Sequence, residues 1–210
     1  MKNINIFLVY GVPSLAISSA GIGFALLKAQ SQALAMFHNP EDWLKLLRIQ
    51  RLDWMKLSDA ELVEKVVMQH RIFGAIFGIL SLGMIVGLSM AASLNVKFDL
   101  YGANAILLRT TTVLATLGFG FAISMSLYLL QNSKYFQNIL NPELFVNLVL
   151  RPELPSAIAN SASSQEVLNY LIDTASEKTN IALYAGIGCV VVGVAAIIAY
   201  EGYNNGWFHK

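Results

Sequence analysis

Long apolar runs alternate with polar stretches along this chain, and the alternation occurs twice. Apolar residues dominate 5–28, 72–94, 105–130 and 181–200. At 1.5 Å per helical residue, each run is long enough to cross a hydrocarbon core of ~30 Å. Between the first and second runs, and again between the third and fourth, lies a polar stretch of similar design. Asn39-Pro40-Glu41 recurs as Asn141-Pro142-Glu143, an offset of 102 residues. A Ser-x-x-Glu signal follows each triplet, Ser58 to Glu61 and Ser163 to Glu166, at an offset of 105. This pattern predicts an all-α membrane protein: four transmembrane helices in two tandem helical-hairpin repeats. The first repeat covers 1–95 (span 5–28, loop 29–71, span 72–94). The second covers 96–210 (span 105–130, loop 131–180, span 181–200, short tail).

The polar stretches carry start and stop signals of their own. Asn39 has the chemistry of an N-cap, Pro40 suits the first helical position, and Glu41 and Asp42 complement the helix dipole. The following residues 43–52 place Trp43, Leu44, Leu46, Leu47, Ile49 and Leu52 among Lys45, Arg48 and Arg51 at helical spacing. With Trp43 and Trp54 close by, the segment is expected to lie in the membrane interface, so Trp43, Trp54, Arg48 and Arg51 are candidate lipid or partner contacts. Packing on a partner or on the second loop fits the same pattern. In the second copy, Leu144 to Leu150 is a shorter, more apolar helix, stopped by Arg151-Pro152-Glu153-Leu154-Pro155. Ser58-Asp59-Ala60-Glu61 is a capping box, and the helix it opens is expected to continue through Arg71 into the second span. Ser163 or Ser164 opens the matching helix of the second copy.

Composition strengthens the membrane reading. The hydrophobic class makes up 56% of the chain and charged residues 13%, against about 25% charged residues in a soluble domain. A formal net charge of +1 points away from a nucleic-acid partner. The apolar run that begins near the N-terminus continues to Leu27, longer than a signal peptide requires, so an uncleaved first span is expected. The loop from Lys28 to Arg71 holds Lys28, Lys45, Arg48, Arg51, Lys56, Lys65 and Arg71, and the loop 131–180 holds Lys134, Arg151 and Lys178. Lys2, Lys97 and Lys210 remain for the other side, with Arg109 inside a span. The positive-inside rule then puts both long loops in the cytoplasm and both termini outside, as in a bacterial inner membrane. Two copies joined by a short outer link run in the same direction, which makes the repeats parallel.

Small residues recur four apart in the second helix of each repeat. Gly74 and Gly78, Gly83 and Gly87, Ala182 and Gly186, and Cys189 and Gly193 stand at the spacing that lets helix backbones approach closely in lipid. Gly74, Gly78, Gly83, Gly87, Gly186 and Gly193 are therefore the candidate packing residues, for a neighbour inside or outside the chain. Arg109 is the one charge inside the four runs, Lys28 standing at the last position of the first. It lies about a turn from the outer end of its span, where its stem can carry the guanidinium to the headgroups. Lipid or a partner subunit is its expected neighbour. Thr110, Thr111 and Thr112 follow, and hydroxyls bonded to their own helix account for them. Pro13 marks a kink in the first span.

Reactive chemistry is sparse. No Asp, Glu or His falls within the runs, and the one Lys, Lys28, only closes the first, whereas proton-coupled transport ordinarily uses an intramembrane carboxylate or histidine. His38, His70 and His209 are scattered, and Cys189 is the one cysteine, so neither a metal centre, a cofactor nor a disulfide is expected. His70-Arg71-Ile72-Phe73-Gly74 resembles the His-Arg-x-x-Gly stretch that opens a membrane helix in cytochrome b subunits of succinate dehydrogenase. That resemblance implies a quinone-binding membrane anchor. In that family a serine three residues before the histidine helps bind quinone, and here Val67 stands there. The family's haem-ligand histidine in the next helix has no counterpart in 105–131. The residues themselves lead to a different expectation: a non-enzymatic integral subunit of a multi-protein membrane assembly, such as a secretion or conjugation apparatus or an energy-transducing complex. Its partners are then membrane lipid and other membrane subunits. A channel or carrier with a path lined by Thr110–Thr112, Ser124 and Ser126 is the rival.

Overall fold

The computed structural model describes residues 7–98, 103–160, 162–204 and 207. Helices account for almost all of them, and among the described residues there is no strand. Four helices are long: α1 (Val12–His38), α3 (Asp59–Phe98), α4 (Ala103–Phe136) and α7 (Ser164–Asn204). Each is long and apolar enough to cross a membrane. Between them lie α2 (Pro40–Gln50), α5 (Pro142–Phe145) and α6 (Ser156–Ala159), joined by short 3-10 and π turns.

The helix boundaries follow the polar signals more closely than the ends of the apolar runs. α3 is a single helix of 40 residues that opens at the Ser58 cap, well before the apolar run at 72. α7 likewise opens at Ser164 and continues for 41 residues, past the expected end at 200. Both capping boxes form. The Ser58 N–H and hydroxyl donate to Glu61 Oε2 at 2.9 and 2.7 Å, and Glu61 N–H donates back to Ser58 Oγ at 3.4 Å. Ser163 N–H donates to Glu166 Oε2 at 2.7 Å, and Glu166 N–H returns to Ser163 Oγ at 3.3 Å. Each box satisfies amide donors that a helix start otherwise leaves open.

The Asn-Pro-Glu triplets do break the chain, but not by the expected cap. Pro40 and Pro142 open α2 and α5, while neither Asn39 nor Asn141 makes a side-chain cap. The Asn39 amide instead donates to the Asp42 carboxylate. Proline at the first helical position already removes one orphan N–H. A π turn at Phe7–Gly11 precedes Pro13, the place where the helix must accommodate the ring.

The chain divides into two compact units. The first takes the described residues of 1–25, 76–126 and 181–210, the apolar parts of the four long helices. The second takes 26–75 and 127–180, the polar stretches with the adjoining ends of those helices. This second unit has a core drawn from both loops: Leu34 and Phe37 of α1, Leu44 and Leu47 of α2, Leu62 and Val66 of α3, Ile139, Val146 and Leu150 after α4, and Val167 and Leu168 of α7. Phe37 stacks on Phe145 at 5.1 Å, and Tyr135 meets both rings. Leu44 and Val146 stand 102 apart, Leu62 and Val167 105 apart, and all four are core residues.

Candidate functional site

Within the apolar unit, two places bring chemistry together. One is an ion pair. Arg109 of α4 donates from Nη1 to Glu201 Oε1 of α7 at 2.9 Å, and the guanidinium carbon lies 5.5 Å from the ring centre of Tyr10. Tyr10 meets Tyr200 edge-on at 6.3 Å. Both charged side chains are about two-thirds covered. The Tyr10 hydroxyl and Arg109 Nε are buried without a hydrogen-bond partner. The sequence suggests lipid or a partner subunit as the neighbour of Arg109, and the structure sets it against a carboxylate within the chain. Glu201 was missed because the fourth span was ended at residue 200. The helix continues to Asn204, which brings Glu201 round to Arg109.

The other place is a close approach of α1 and α4. The Ser18 hydroxyl donates to Thr116 O at 3.0 Å, across two helices. A Cβ placed on Gly120 would lie 2.8 Å from Ser18 Cα, closer than side-chain carbons come in proteins. Glycine is required there because the two backbones nearly touch. Ser14, Ser18, Thr112 and Thr116 are all buried. Ser14 and Thr116 spend their hydroxyls locally, on Tyr10 O and Thr112 O, as does Ser124 on Gly120 O. Thr111 likewise bonds Leu107 O. These residues therefore act as packing surfaces, in the manner of small polar residues between membrane helices. The signal was present in the sequence, since Thr112, Thr116, Gly120 and Ser124 recur every fourth residue.

The six candidate glycines divide by location. Gly78 faces the Ser126 hydroxyl of α4, 3.3 Å from where a Cβ would stand. Gly193 packs against Ile17 and Pro13 of α1, and Gly186 makes an ordinary contact with Ala20. Gly74 is buried. Gly83 and Gly87 have no such neighbour within 4 Å. Phe77 against Phe121, and Met84 over Gly118, complete the α3–α4 contacts on which Gly78 lies.

In the loop unit, the expected surface residues mostly turn inward. Trp54 is buried in the core, and Arg51 lies over its ring at 5.0 Å. Arg48 bonds the Leu57 carbonyl and pairs with Asp59, tying the end of α2 to the start of α3. Trp43 packs against the core from its edge. α2 thus packs the face that carries Leu44 and Leu47, together with Trp54, into a core shared with the second loop, the alternative the pattern also allowed. His70 bonds the Val66 carbonyl at 2.8 Å and packs on Phe136, so it holds neighbouring turns together. Among the described residues no group of three His, Cys, Asp or Glu is arranged to hold a metal ion. No protein-family model, no curated protein and no solved structure matches the chain.

Proposed function

We propose that this chain is a non-catalytic integral subunit of a larger membrane assembly. A secretion or conjugation apparatus and an energy-transducing complex both contain subunits of this kind. In this reading the two repeats are parallel hairpins in a bacterial inner membrane, with both long loops cytoplasmic and both termini outside. The observation that carries the reading is how little the long helices cover one another. Only 6% of the most apolar stretch of α7, and 17% of that of α3, is buried within the chain. On α3 the outward side includes Gly83 and Gly87, four residues apart and open. Lipid covers large side chains well, but an open Gly-x3-Gly face offers it little surface, whereas a second helix can approach there closely.

The test is recovery of the assembly from native membranes. Gly83→Leu and Gly87→Leu should insert normally and yet lose their co-purifying polypeptides, because a leucine blocks close helix approach. Full recovery of those polypeptides with both variants would overturn the proposal.

A further inference from the structure

The cluster of Tyr10, Arg109 and Glu201 holds more hydrogen-bonding capacity than the chain satisfies. Arg109 Nη1 meets Glu201 Oε1 at 2.9 Å. Arg109 Nε and the Tyr10 hydroxyl, however, are buried with no hydrogen-bond partner among the described residues. Tyr10 as a whole is 6% exposed. Its ring is held on two sides, edge-on to Tyr200 and against the guanidinium at 5.5 Å. The π turn Phe7–Gly11 carries it, and such turns recur at functional sites. In lipid no water stands in for a missing acceptor, so a buried donor without one is costly. Two such donors in one cluster mark a place where an acceptor binds.

Position and charge say which acceptor. Arg109 is the fifth residue of the apolar run 105–130, and Glu201 directly follows the run 181–200. The cluster therefore lies at the edge of the apolar unit, at the depth where headgroups meet hydrocarbon. The Arg109 and Glu201 side chains are 32% and 26% exposed, so the cluster is open on the side of its two charges. A simple cation is repelled there by the guanidinium, and a simple anion by the carboxylate. A zwitterion satisfies both. Its phosphate oxygen accepts from Arg109 Nε and Tyr10 Oη, and its ammonium donates to the Glu201 carboxylate, a group that accepts up to about four hydrogen bonds.

We propose that this cluster binds the headgroup of a zwitterionic phospholipid with a primary ammonium, of the phosphatidylethanolamine type. The inference rests on reading the chain as a membrane protein and does not require partner subunits. Both donors are covered by the chain itself, so the phosphate is admitted as the guanidinium swings off the Tyr10 ring.

The experiment uses the full-length chain in detergent micelles. Phosphatidylethanolamine, phosphatidylcholine and phosphatidylglycerol of one acyl composition are added in equal amounts, and bound lipid is counted by native mass spectrometry. Phosphatidylethanolamine should be retained about tenfold over each of the others, the worth of one hydrogen bond to a charged group. Choline has no N–H for Glu201, and phosphatidylglycerol brings an anion without a cation. Tyr10→Phe keeps the ring and removes one donor, and should lower phosphatidylethanolamine retention about tenfold. Glu201→Gln should erase the preference over phosphatidylglycerol. Equal retention of the three lipids, unchanged retention in Tyr10→Phe, or a preference that survives Glu201→Gln would each overturn the proposal. Displacement of the lipid by an equal concentration of soluble glycerophosphoethanolamine would assign the site to a soluble compound and overturn it as well. Binding is scored on the isolated chain, so its failure is distinct from failure of the subunit reading.

Discussion

At the scale of single residues, two contacts between the long helices are sensitive to size or charge. Gly120 against Ser18 is the tightest. Gly120→Ala should destabilise the chain by about 1–3 kcal/mol, the usual cost of forcing extra volume into a packed contact. Gly83→Ala, with open space around it, should be neutral or stabilising by about 0.5–1 kcal/mol, since alanine favours a helix over glycine. Unfolding in mixed micelles compares the two directly, and equal effects would contradict the assigned packing. The Arg109–Glu201 pair is the second such contact. Glu201→Gln or Arg109→Ala should cost about 1–2 kcal/mol, less than the loss of a fully buried pair because both groups retain some exposure. The charge swap Arg109→Glu with Glu201→Arg should recover part of that loss. A swap no better than either single change would mean that the pair contributes nothing.

At the scale of elements, much of the structure was legible in advance. Ser58 with Glu61 and Ser163 with Glu166 announced two helix starts, and both helices begin there. The signal works because a capping box is closed by side chains three residues apart and needs no distant partner. Each serine should matter locally: Ser58→Ala and Ser163→Ala should each destabilise by about 1 kcal/mol. Hydrogen exchange should rise in the first turns of α3 and α7, and unchanged exchange there would contradict the caps. What was not legible depends on neighbours far away in sequence. Periodicity marks 43–52 as amphipathic with Trp54 close by, yet cannot say that α3, α4 and α7 supply a core for that tryptophan to enter. It marked the glycines of α3 and α7, and the small residues 112, 116, 120 and 124 of α4 carry the same spacing, but no local pattern says that Ser18, 98 residues from Thr116, is the neighbour they meet. Arg109 looked solitary only while the fourth span was cut at the end of its apolar run.

At the scale of the whole molecule, the account depends on one feature, a core that draws on both polar loops. Leu34, Leu44 and Leu62 of the first loop and Ile139, Val146 and Val167 of the second belong to the same cluster. Loops on opposite faces of a membrane could not share that core, so the proposed topology, in which the four long helices all cross, is the one tested. A fifth crossing, or a missing one, would separate them. The most direct measurement is cysteine accessibility on a Cys189→Ala background, with Gln50→Cys, Asn160→Cys and Trp207→Cys introduced singly at exposed positions. Intact cells are treated with a membrane-impermeant thiol reagent and compared with permeabilised ones. The account predicts that Gln50→Cys and Asn160→Cys react only after permeabilisation, while Trp207→Cys reacts in intact cells. Labelling of one loop from outside while the other stays protected would contradict it.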